Sequence, residues 1–126
     1  MKYIVEIDAK GTKFWYNEKG QYHREDGPAI EYPDGTKFWF MYDEMHRDSG
    51  PAVEYSNGIK CWYRRGKLHR EDGPAIEKTN GYKEWWLNGK QYTEQEYNKI
   101  KNPPIVQMTM EEFVKKHGYI IRIVQG

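Results

Sequence analysis

The chain has one cysteine and almost no net charge. The single cysteine, Cys61, excludes an intrachain disulfide and is typical of a protein in a reducing cytoplasm. Lysine and arginine number 20 and aspartate and glutamate 19, so the net charge is +1. No overall electrostatic attraction to nucleic acid or to an anionic membrane is therefore expected.

Leucine is also scarce, since it occurs only at Leu68 and Leu87, and hydrophobic residues make up 37% of the chain. Aromatic residues nevertheless reach 16%, which predicts that Trp, Tyr and Phe fill the core. The 126 residues suffice for one domain of modest size. The sequence shows no signal peptide and no membrane-spanning run, so we expect a cytoplasmic protein without a membrane partner.

Signatures of enzymes and cofactor sites are missing as well. Neither GxGxxG nor GxxxxGK[ST] occurs, which excludes phosphate-binding loops of these kinds. Cys61 occupies a repeat position that holds Phe14 and Phe38 in two other copies, so we interpret it as hydrophobic and not as a nucleophile. Three histidines stand one per copy, too far apart to share a metal. We expect no catalytic residue, no metal and no cofactor.

An internal repeat dominates what is present. HREDGPA occurs at 23–29 and at 69–75, with HRDSGPA at 46–52 between them, so that His23, His46 and His69 are 23 residues apart. A tandem period of this length predicts a repeat architecture. Each unit begins with Gly-x-Lys-x-Trp-aromatic, and the first copy has one extra residue before its histidine. Residues 11–92 comprise three full copies and one partial copy.

Each unit is predicted to be a β-hairpin. Asp34-Gly35, Asn57-Gly58 and Asn80-Gly81 favour hairpin turns of type I′, in which both central residues have positive φ. The proline of each Gly-Pro-Ala segment is expected at the first residue of a strand, and the preceding glycine at a bend or a special backbone angle. The fold class is therefore mainly β, an elongated antiparallel meander of tandem hairpins, with about eight strands and no helix in 11–90.

Both ends of the chain differ from the repeats. Residues 1–10 are predicted to form a capping strand. In 93–126, Thr93 with Glu96 and Thr109 with Glu112 are capping boxes, each predicted to start a helix. The first helix would stop near Lys101, before Asn102-Pro103-Pro104; the second would end at Gly118, followed by a short strand over 119–124. The whole chain is expected to be a single domain.

The unit resembles the MORN family of repeats, and most closely the divergent variety whose copies read roughly WYxNGKxHREDGPA. Trp62, Gly66, Lys67, His69 and 73–75 carry the resemblance, which covers about residues 11–92. That variety occurs in phage, giant-virus and bacterial proteins, including those named as YwqK-type antitoxins. The resemblance implies an interaction role without shared catalytic residues, in the host cytoplasm if a phage encodes the chain. The extra residue before Gly66 and the insert after His69 depart from common MORN repeats, so their proposed lipid binding is not carried over.

Two series of aromatic residues are predicted to line opposite faces of the sheet. Trp15, Trp39, Trp62 and Trp85 form one series, and Tyr16, Phe40, Tyr63 and Trp86 form the other. A lysine of each unit shares the tryptophan face and could lie along the ring as a cation–π partner. Packing explains both series; an exposed stripe that binds a partner is the alternative.

The His-Arg-acid segments offer one candidate site. Their structural interpretation is that each arginine pairs with acids of its own or the next unit. Their functional interpretation is a small-ligand or nucleotide site with aromatic stacking and a row of basic side chains: His23, Arg24, His46, Arg47, His69 and Arg70. The alternating acids argue against a polyanion site, so nucleic acid is not an expected partner.

The second copy offers the other candidate site, because it departs most from the repeat. Its turn is apolar, methionine-rich and acidic, and consists of Phe40, Met41, Tyr42, Asp43, Glu44 and Met45. Methionine adapts to irregular surfaces, so this turn is the predicted partner-binding site. The function expected from the sequence is a non-enzymatic protein-interaction module. The resemblance implies further that it binds and inhibits a macromolecule, as antitoxin or anti-defence proteins do. A protein partner is expected, and self-association is left open.

Overall fold

The computed structural model describes residues 2–103 and 109–118 as a mainly β protein with two helices near its C-terminal end. The helices are α1 (Glu94–Lys101) and α2 (Met110–His117). The strands are β1 (Ile4–Ile7), β2 (Lys13–Tyr16), β3 (Ile30–Glu31), β4 (Lys37–Phe38), β5 (Phe40–Met41), β6 (Glu44–Met45), β7 (Val53–Glu54), β8 (Lys60–Cys61), β9 (Tyr63–Arg64), β10 (Lys67–Leu68), β11 (Ile76–Glu77), β12 (Lys83–Leu87) and β13 (Lys90–Tyr92).

The strands form one antiparallel meander with two small hairpins beside it. Nine strands are hydrogen-bonded in the order β1-β2-β3-β4-β7-β8-β11-β12-β13. The remaining four form the separate hairpins β5-β6 and β9-β10, which we call outer hairpins. Consecutive units therefore add strands side by side, as the tandem-hairpin prediction requires, and that fold class is confirmed.

The number of strands differs from the expected eight, because residues 11–92 contain the twelve strands β2 to β13. In the second and third units, a tryptophan divides one long strand into two. Trp39 donates its N–H to Ala52 O at 2.7 Å, and its own carbonyl accepts the N–H of His46 at 3.1 Å. The chain before Trp39 belongs to the main sheet, and the chain after it belongs to an outer hairpin. No helix occurs in 11–90, as predicted.

The turns within the main sheet are placed as predicted but are of another type. Asp34-Gly35 connects β3 to β4, and the equivalent pairs connect the later strands. Only the glycine of each pair has positive φ, which is 95° at Gly35. The Asp34 side chain accepts the N–H of Thr36 at 2.9 Å, so it holds the turn with its carboxylate.

Type I′ geometry occurs instead in the two-residue turns after the tryptophans. Both central residues have positive φ in each of them: Tyr42 (50°) with Asp43 (66°), Arg65 (50°) with Gly66 (79°), and Asn88 (50°) with Gly89 (81°). Three non-glycine residues thus hold a left-handed conformation at the first turn position. Such a conformation costs free energy, and it persists only where the surroundings hold it in place.

The most deeply buried side chains are small, which differs from the aromatic core that composition suggested. Ala29, Ala52 and Ala75 are fully buried. Val53 and Cys61 are buried between neighbouring strands of the main sheet, whereas the tryptophans are only half-buried. Aromatic rings pack in a row along the sheet, with Tyr16 and Tyr22 5.1 Å apart and Tyr22 and Phe40 5.3 Å apart.

The start of each strand after Gly-Pro-Ala lies two residues later than expected, at Ile30, Val53 and Ile76 instead of at the proline. The proline carbonyl has another role, because it accepts a hydrogen bond from an arginine of the same unit. Gly27, Gly50 and Gly73 each lie at a bend of the chain, as predicted, and none of the three has positive φ.

The C-terminal end of the sheet carries a helix, as the sequence predicted. Thr93 and Glu96 form the capping box of α1, and Thr109 and Glu112 form that of α2. Tyr97 of α1 is buried; its hydroxyl donates to the Arg70 carbonyl and accepts the N–H of Gly73 at 3.2 Å. Gly118 ends α2 in the left-handed conformation. The strand expected over 119–124 lies outside the described residues, within which neither helix is long and apolar enough to cross a membrane.

Candidate functional site

Each repeated histidine binds the two-residue turn that follows the tryptophan of the next unit, which we call the outer turn. The ring nitrogen Nδ1 accepts a backbone N–H from the first turn residue: Tyr42 to His23 at 3.0 Å, Arg65 to His46 at 3.0 Å and Asn88 to His69 at 2.9 Å. The donors are the three non-glycine residues with φ of 50°. An acceptor at Nδ1 requires a ring whose proton is on Nε2. The histidines therefore act as neutral acceptors that stabilise a strained turn.

The environment of His69 favours this neutral state. The residue is 8% exposed, and burial, followed by the positive charge of Arg64, lowers the pKa of its ring. Its Nε2 lies 3.4 Å from a carboxylate oxygen of Glu71, which is close enough for electrostatic attraction but makes no hydrogen bond. Glu71 opposes the lowering of the pKa without reversing it.

Each repeated arginine lies flat on a tryptophan of its own unit. The guanidinium carbon is 4.0 Å from the ring centre of Trp15 for Arg24, 4.0 Å from Trp39 for Arg47 and 3.8 Å from Trp62 for Arg70. The sequence had suggested lysine as the cation at these rings. Arginine takes that position because its planar group stacks on the ring and presents several donors at its edge.

The same guanidinium groups are bound by acceptors of their own unit. Arg70 donates to the Pro74 carbonyl at 3.0 Å, to Glu77 at 2.9 Å and to Asp72 at 2.9 Å. The first unit repeats this set, and the second lacks the aspartate contact because Ser49 replaces that acid. The arginine side chains are only 20–27% exposed. Stacking, hydrogen bonds and burial thus engage Arg24, Arg47 and Arg70 within the fold.

The glycine of each Gly-Pro-Ala segment makes room for this arginine. A Cβ atom at Gly27 would lie 2.8 Å from the guanidinium carbon of Arg24, and one at Gly73 would lie 3.1 Å from that of Arg70. Contacts this short require the guanidinium to shift from its place on the tryptophan, by a few tenths of an ångström at Gly73. Glycine is needed here because of a side-chain contact and not because of the backbone angle.

The six residues of the second-copy turn divide into two groups. Phe40 packs 5.3 Å from Tyr22, and the Asp43 carboxylate accepts the Tyr22 N–H at 2.6 Å, so both belong to the scaffold. Met45 is half-buried beside Phe40 in the β5-β6 hairpin. Met41, Tyr42 and Glu44 face a groove instead, with Tyr42 53% exposed.

This groove joins residues from both predicted sites. It has a volume of about 800 Å³ and lies between the two outer hairpins. We call it the hairpin groove. It is lined by Met41, Tyr42, Glu44, His46, Asp48, Arg64, Arg65, Lys67 and Asn88. His46 is the one repeated histidine or arginine in it, and its Nε2 is 2.8 Å from Asp48.

Three cations of this groove were not predicted from the sequence. Arg64, Arg65 and Lys67 come from the third copy, and Arg64 bonds Asn88 at 3.1 Å and lies 3.4 Å from Glu71. Arg65 and Lys67 are exposed, and their side chains form no ion pair or hydrogen bond with the described part of the chain. The signal available in the sequence was three cations within the four residues 64–67.

The metal-ligating side chains and the cysteine of the described residues can be placed in the same way. Within residues 2–103 and 109–118, no group of three His, Cys, Asp or Glu side chains is placed to hold a metal ion. Cys61 lies in the sheet between Val53 and Ile76, and burial raises the pKa of its thiol. A thiol with a raised pKa is a poor nucleophile at neutral pH.

Comparison of the chain with family models, curated proteins and solved structures finds no match. The resemblance to MORN-like repeats therefore stays a prediction, and the geometry of the hairpin groove carries the functional conclusion.

Proposed function

We propose that this chain is a non-enzymatic interaction module that binds a protein partner through the hairpin groove. The observation that carries the proposal is a difference between two sets of side chains. The repeated histidines and arginines have partners inside the fold, whereas Tyr42, Arg65 and Lys67 are exposed at the groove. Arg65 and Lys67 are not engaged by the fold, and Tyr42 is exposed although its ring lies 4.2 Å from that of His23, so these side chains are available to a partner.

The composition of the groove is that of a protein interface. Tyrosine, methionine and arginine are enriched at such interfaces, where a few aromatic and arginine anchors supply most of the binding free energy. The groove also carries both signs of charge, with Glu44 and Asp48 beside Arg64, Arg65 and Lys67. A lining of mixed charge fits a partner with polar groups of both signs better than it fits a phosphate chain.

The ligand-binding alternative would use His23, Arg24, His46, Arg47, His69 and Arg70. Its geometry is less favourable, because a phosphate would have to displace the acidic and carbonyl partners of each guanidinium. The carboxylates around these arginines are exposed, with Asp26 at 79% and Asp48 at 89%, and would repel an anion.

The resemblance to antitoxin-like repeats extends the proposal to the consequence of binding. In that case the chain is a small accessory protein, of phage or bacterial type, that inhibits the macromolecule it binds. Inhibition requires only that the partner's working surface be covered, so it adds no catalytic requirement to the fold.

The test begins with a pull-down from the organism that encodes the chain, followed by calorimetry with the purified partner. Two variants disrupt the groove by different chemistry: Met41→Ala with Tyr42→Ala, and Arg65→Glu with Lys67→Glu. Each should weaken binding by at least about tenfold, which corresponds to loss of one anchor of about 1.4 kcal/mol. Lys10→Glu with Lys19→Glu makes the same charge change at exposed turns away from the groove and should bind like the wild type.

The opposite pattern of affinities would contradict the proposal. If both groove variants retain the partner while His69→Asn loses it, the repeated edge is the binding surface. Calorimetry with nucleoside monophosphates tests the ligand alternative directly, because saturable binding that Arg70→Lys abolishes would place the function in the His-Arg segments.

A further inference from the structure

Within residues 2–103 and 109–118, strand β1 has a neighbour on one side only, so its other backbone edge is open. It is the first strand in the order of the nine-stranded sheet, and its neighbour there is β2. Trp15 of β2 donates its N–H to Ala29 O at 2.7 Å and accepts the N–H of His23 at 3.1 Å, so its backbone groups point away from β1. Val5 stands opposite Trp15. In an antiparallel pair, the N–H and C=O of Val5 must then point away from β2, toward the open edge.

The side chains of β1 are as exposed as its backbone. Ile4, Val5 and Ile7 are 49%, 50% and 64% exposed, and because neighbouring strand residues alternate, they lie on both faces of the sheet. Edge strands are usually protected from pairing by proline, a bulge or an inward-pointing charge. Residues 4–7 contain no proline and pair with β2 in unbroken register.

The two ends of the array differ in what packs against their last strands. Helix α1 packs against β12 and β13, and Tyr97 ties it to the third unit through Arg70 and Gly73. At the other end, Tyr3 is the one described residue before β1 that is tied to a unit, through its hydroxyl and the N–H of Glu25 at 3.3 Å. This contact lies beside β1 and leaves the edge of the strand open.

We propose that β1 pairs antiparallel with β1 of a second copy of this chain, across a two-fold axis that passes through Ile4. This register sets Ile4 opposite Ile4 and Tyr3 opposite Val5 of the other copy. It also sets Lys2 opposite Glu6 twice, so that each copy supplies one cation and one anion to the other. Opposite charges directly across an antiparallel pair stabilise it, as do paired apolar side chains.

The neighbouring registers are less favourable. In β1, only residues of odd number direct their backbone N–H and C=O groups to the open edge. Two copies can therefore pair only with the two-fold axis passing through a residue, and the neighbouring registers move that axis by one whole residue. An axis through Val5 would place Ile4 opposite Glu6, and an axis through Glu6 would place the two Glu6 carboxylates opposite each other. The axis through Ile4 is the one that matches apolar with apolar and cation with anion.

Such pairing would join two nine-stranded sheets into one and give each assembly two hairpin grooves. A partner that itself has two sites would then bind the pair more tightly than a single chain, without any new contact. The inference does not rest on the proposed function, because it follows from the edge of the sheet alone.

Sedimentation equilibrium of the full chain, from micromolar to near-millimolar concentration, tests the pairing. The expected result is a reversible equilibrium between monomer and dimer. Glu6→Lys should weaken the dimer by about tenfold, because two attractive pairs become repulsive. Lys2→Glu combined with Glu6→Lys should restore it, since the pairs are attractive again with their signs exchanged. Glu111→Lys, the same charge change on α2, should leave the equilibrium unchanged.

A second variant tests the backbone contribution. Val5→Pro removes an N–H that points to the open edge and takes no part in the pairing with β2, so the monomer should fold and the dimer should be lost. A wild-type chain that stays monomeric would overturn the proposal, as would a dimer that persists in both Val5→Pro and Glu6→Lys. Failure of the double charge exchange to restore the dimer would overturn the register through Ile4.

Discussion

At the scale of single residues, the arginine side chain of each repeated unit lies in the space that a Cβ atom would need at the glycine of the same unit. Arg24 lies on Trp15 and over Gly27, where a Cβ atom would be 2.8 Å from the guanidinium carbon. Because Gly27 does not have positive φ, alanine is compatible with its backbone. We therefore infer that the close approach of the Arg24 guanidinium is what favours glycine at this position.

This reason predicts a change of sign in a double-mutant cycle. Gly27→Ala alone should lower the free energy of unfolding by about 1–3 kcal/mol, as overpacking does. In an Arg24→Ala background, the same substitution should be neutral or stabilise the fold by up to about 1 kcal/mol, because it restricts the unfolded chain. Urea denaturation of the four proteins measures both terms. An equal cost in the two backgrounds would mean that the backbone, and not the arginine, requires glycine.

Buried His69 makes stability depend on pH in a definite direction. The pKa of His69 is lowered in the folded state, by burial first and by Arg64 second, with Glu71 opposing and Lys101 assisting. The unfolded chain therefore binds a proton at a higher pH than the folded chain does. The contribution of His69 is fully present above its ordinary pKa of about 6.5 and is lost as the pH falls from there toward the lowered folded value.

We expect the melting temperature to fall on acidification from pH 7.5 to 5, and part of that fall to disappear in His69→Asn. Asparagine places Oδ1 where Nδ1 accepts the N–H of Asn88, yet it does not titrate. Scanning calorimetry at several pH values gives the slopes for both proteins. Identical slopes would show that the protonation of His69 is not linked to unfolding, whatever the difference in melting temperature at pH 7.5.

At the scale of elements, the sequence predicted where turns and helices lie better than it predicted which side chains contact each other. The Asp-Gly and Asn-Gly turns, both capping boxes and the C-terminal glycine of α2 lie where their local signals placed them. Such signals depend on a few adjacent residues, so they can be recognised in a linear sequence. The type of the Asp34-Gly35 turn was not recognisable, because the pairing of the strands around it decides its geometry.

The arginine on each tryptophan shows why the rest could not be predicted. Arg24 and Trp15 are brought together by residues 22–29, which form neither helix nor strand and so have no periodicity to extrapolate. Strand alternation placed a lysine of each unit on the tryptophan face, and the sequence therefore suggested lysine as the cation on the ring, where the structure has arginine. For the same reason, only the second-copy side of the hairpin groove was predicted from the sequence. Met41 and Tyr42 broke the repeat visibly, whereas Arg64, Arg65 and Lys67 became part of the site only through the stacking of successive turns.

At the scale of the whole molecule, each unit contacts its successor through one repeated set of bonds. The histidine holds the next outer turn, and the arginine backbone N–H donates to the next strand, at 3.2 Å from Arg24 to Phe40 O and at 3.2 Å from Arg70 to Trp86 O. Stability in such an array is close to a sum of units and of the contacts between neighbours. A further unit should therefore be accommodated wherever both of its neighbours find the same bonds.

Insertion of a second copy of residues 47–69 between His69 and Arg70 tests this additivity. The insert's Arg47 can lie on the Trp62 that precedes it, and the insert's Trp62 then receives Arg70. The insert also supplies a histidine to the following turn, so every bond between units is reproduced. We expect the folded state to be retained and the urea m-value to rise by about a fifth, in proportion to the surface that the longer chain buries. The matched control is the same insert without its copy of Val53. Omission of one strand residue turns every following side chain in that strand to the other face, which should lower the melting temperature below that of the parent chain. If both inserts are tolerated equally, the strands of the array are not in fixed register, and the bonds between histidine and turn do not define the repeat.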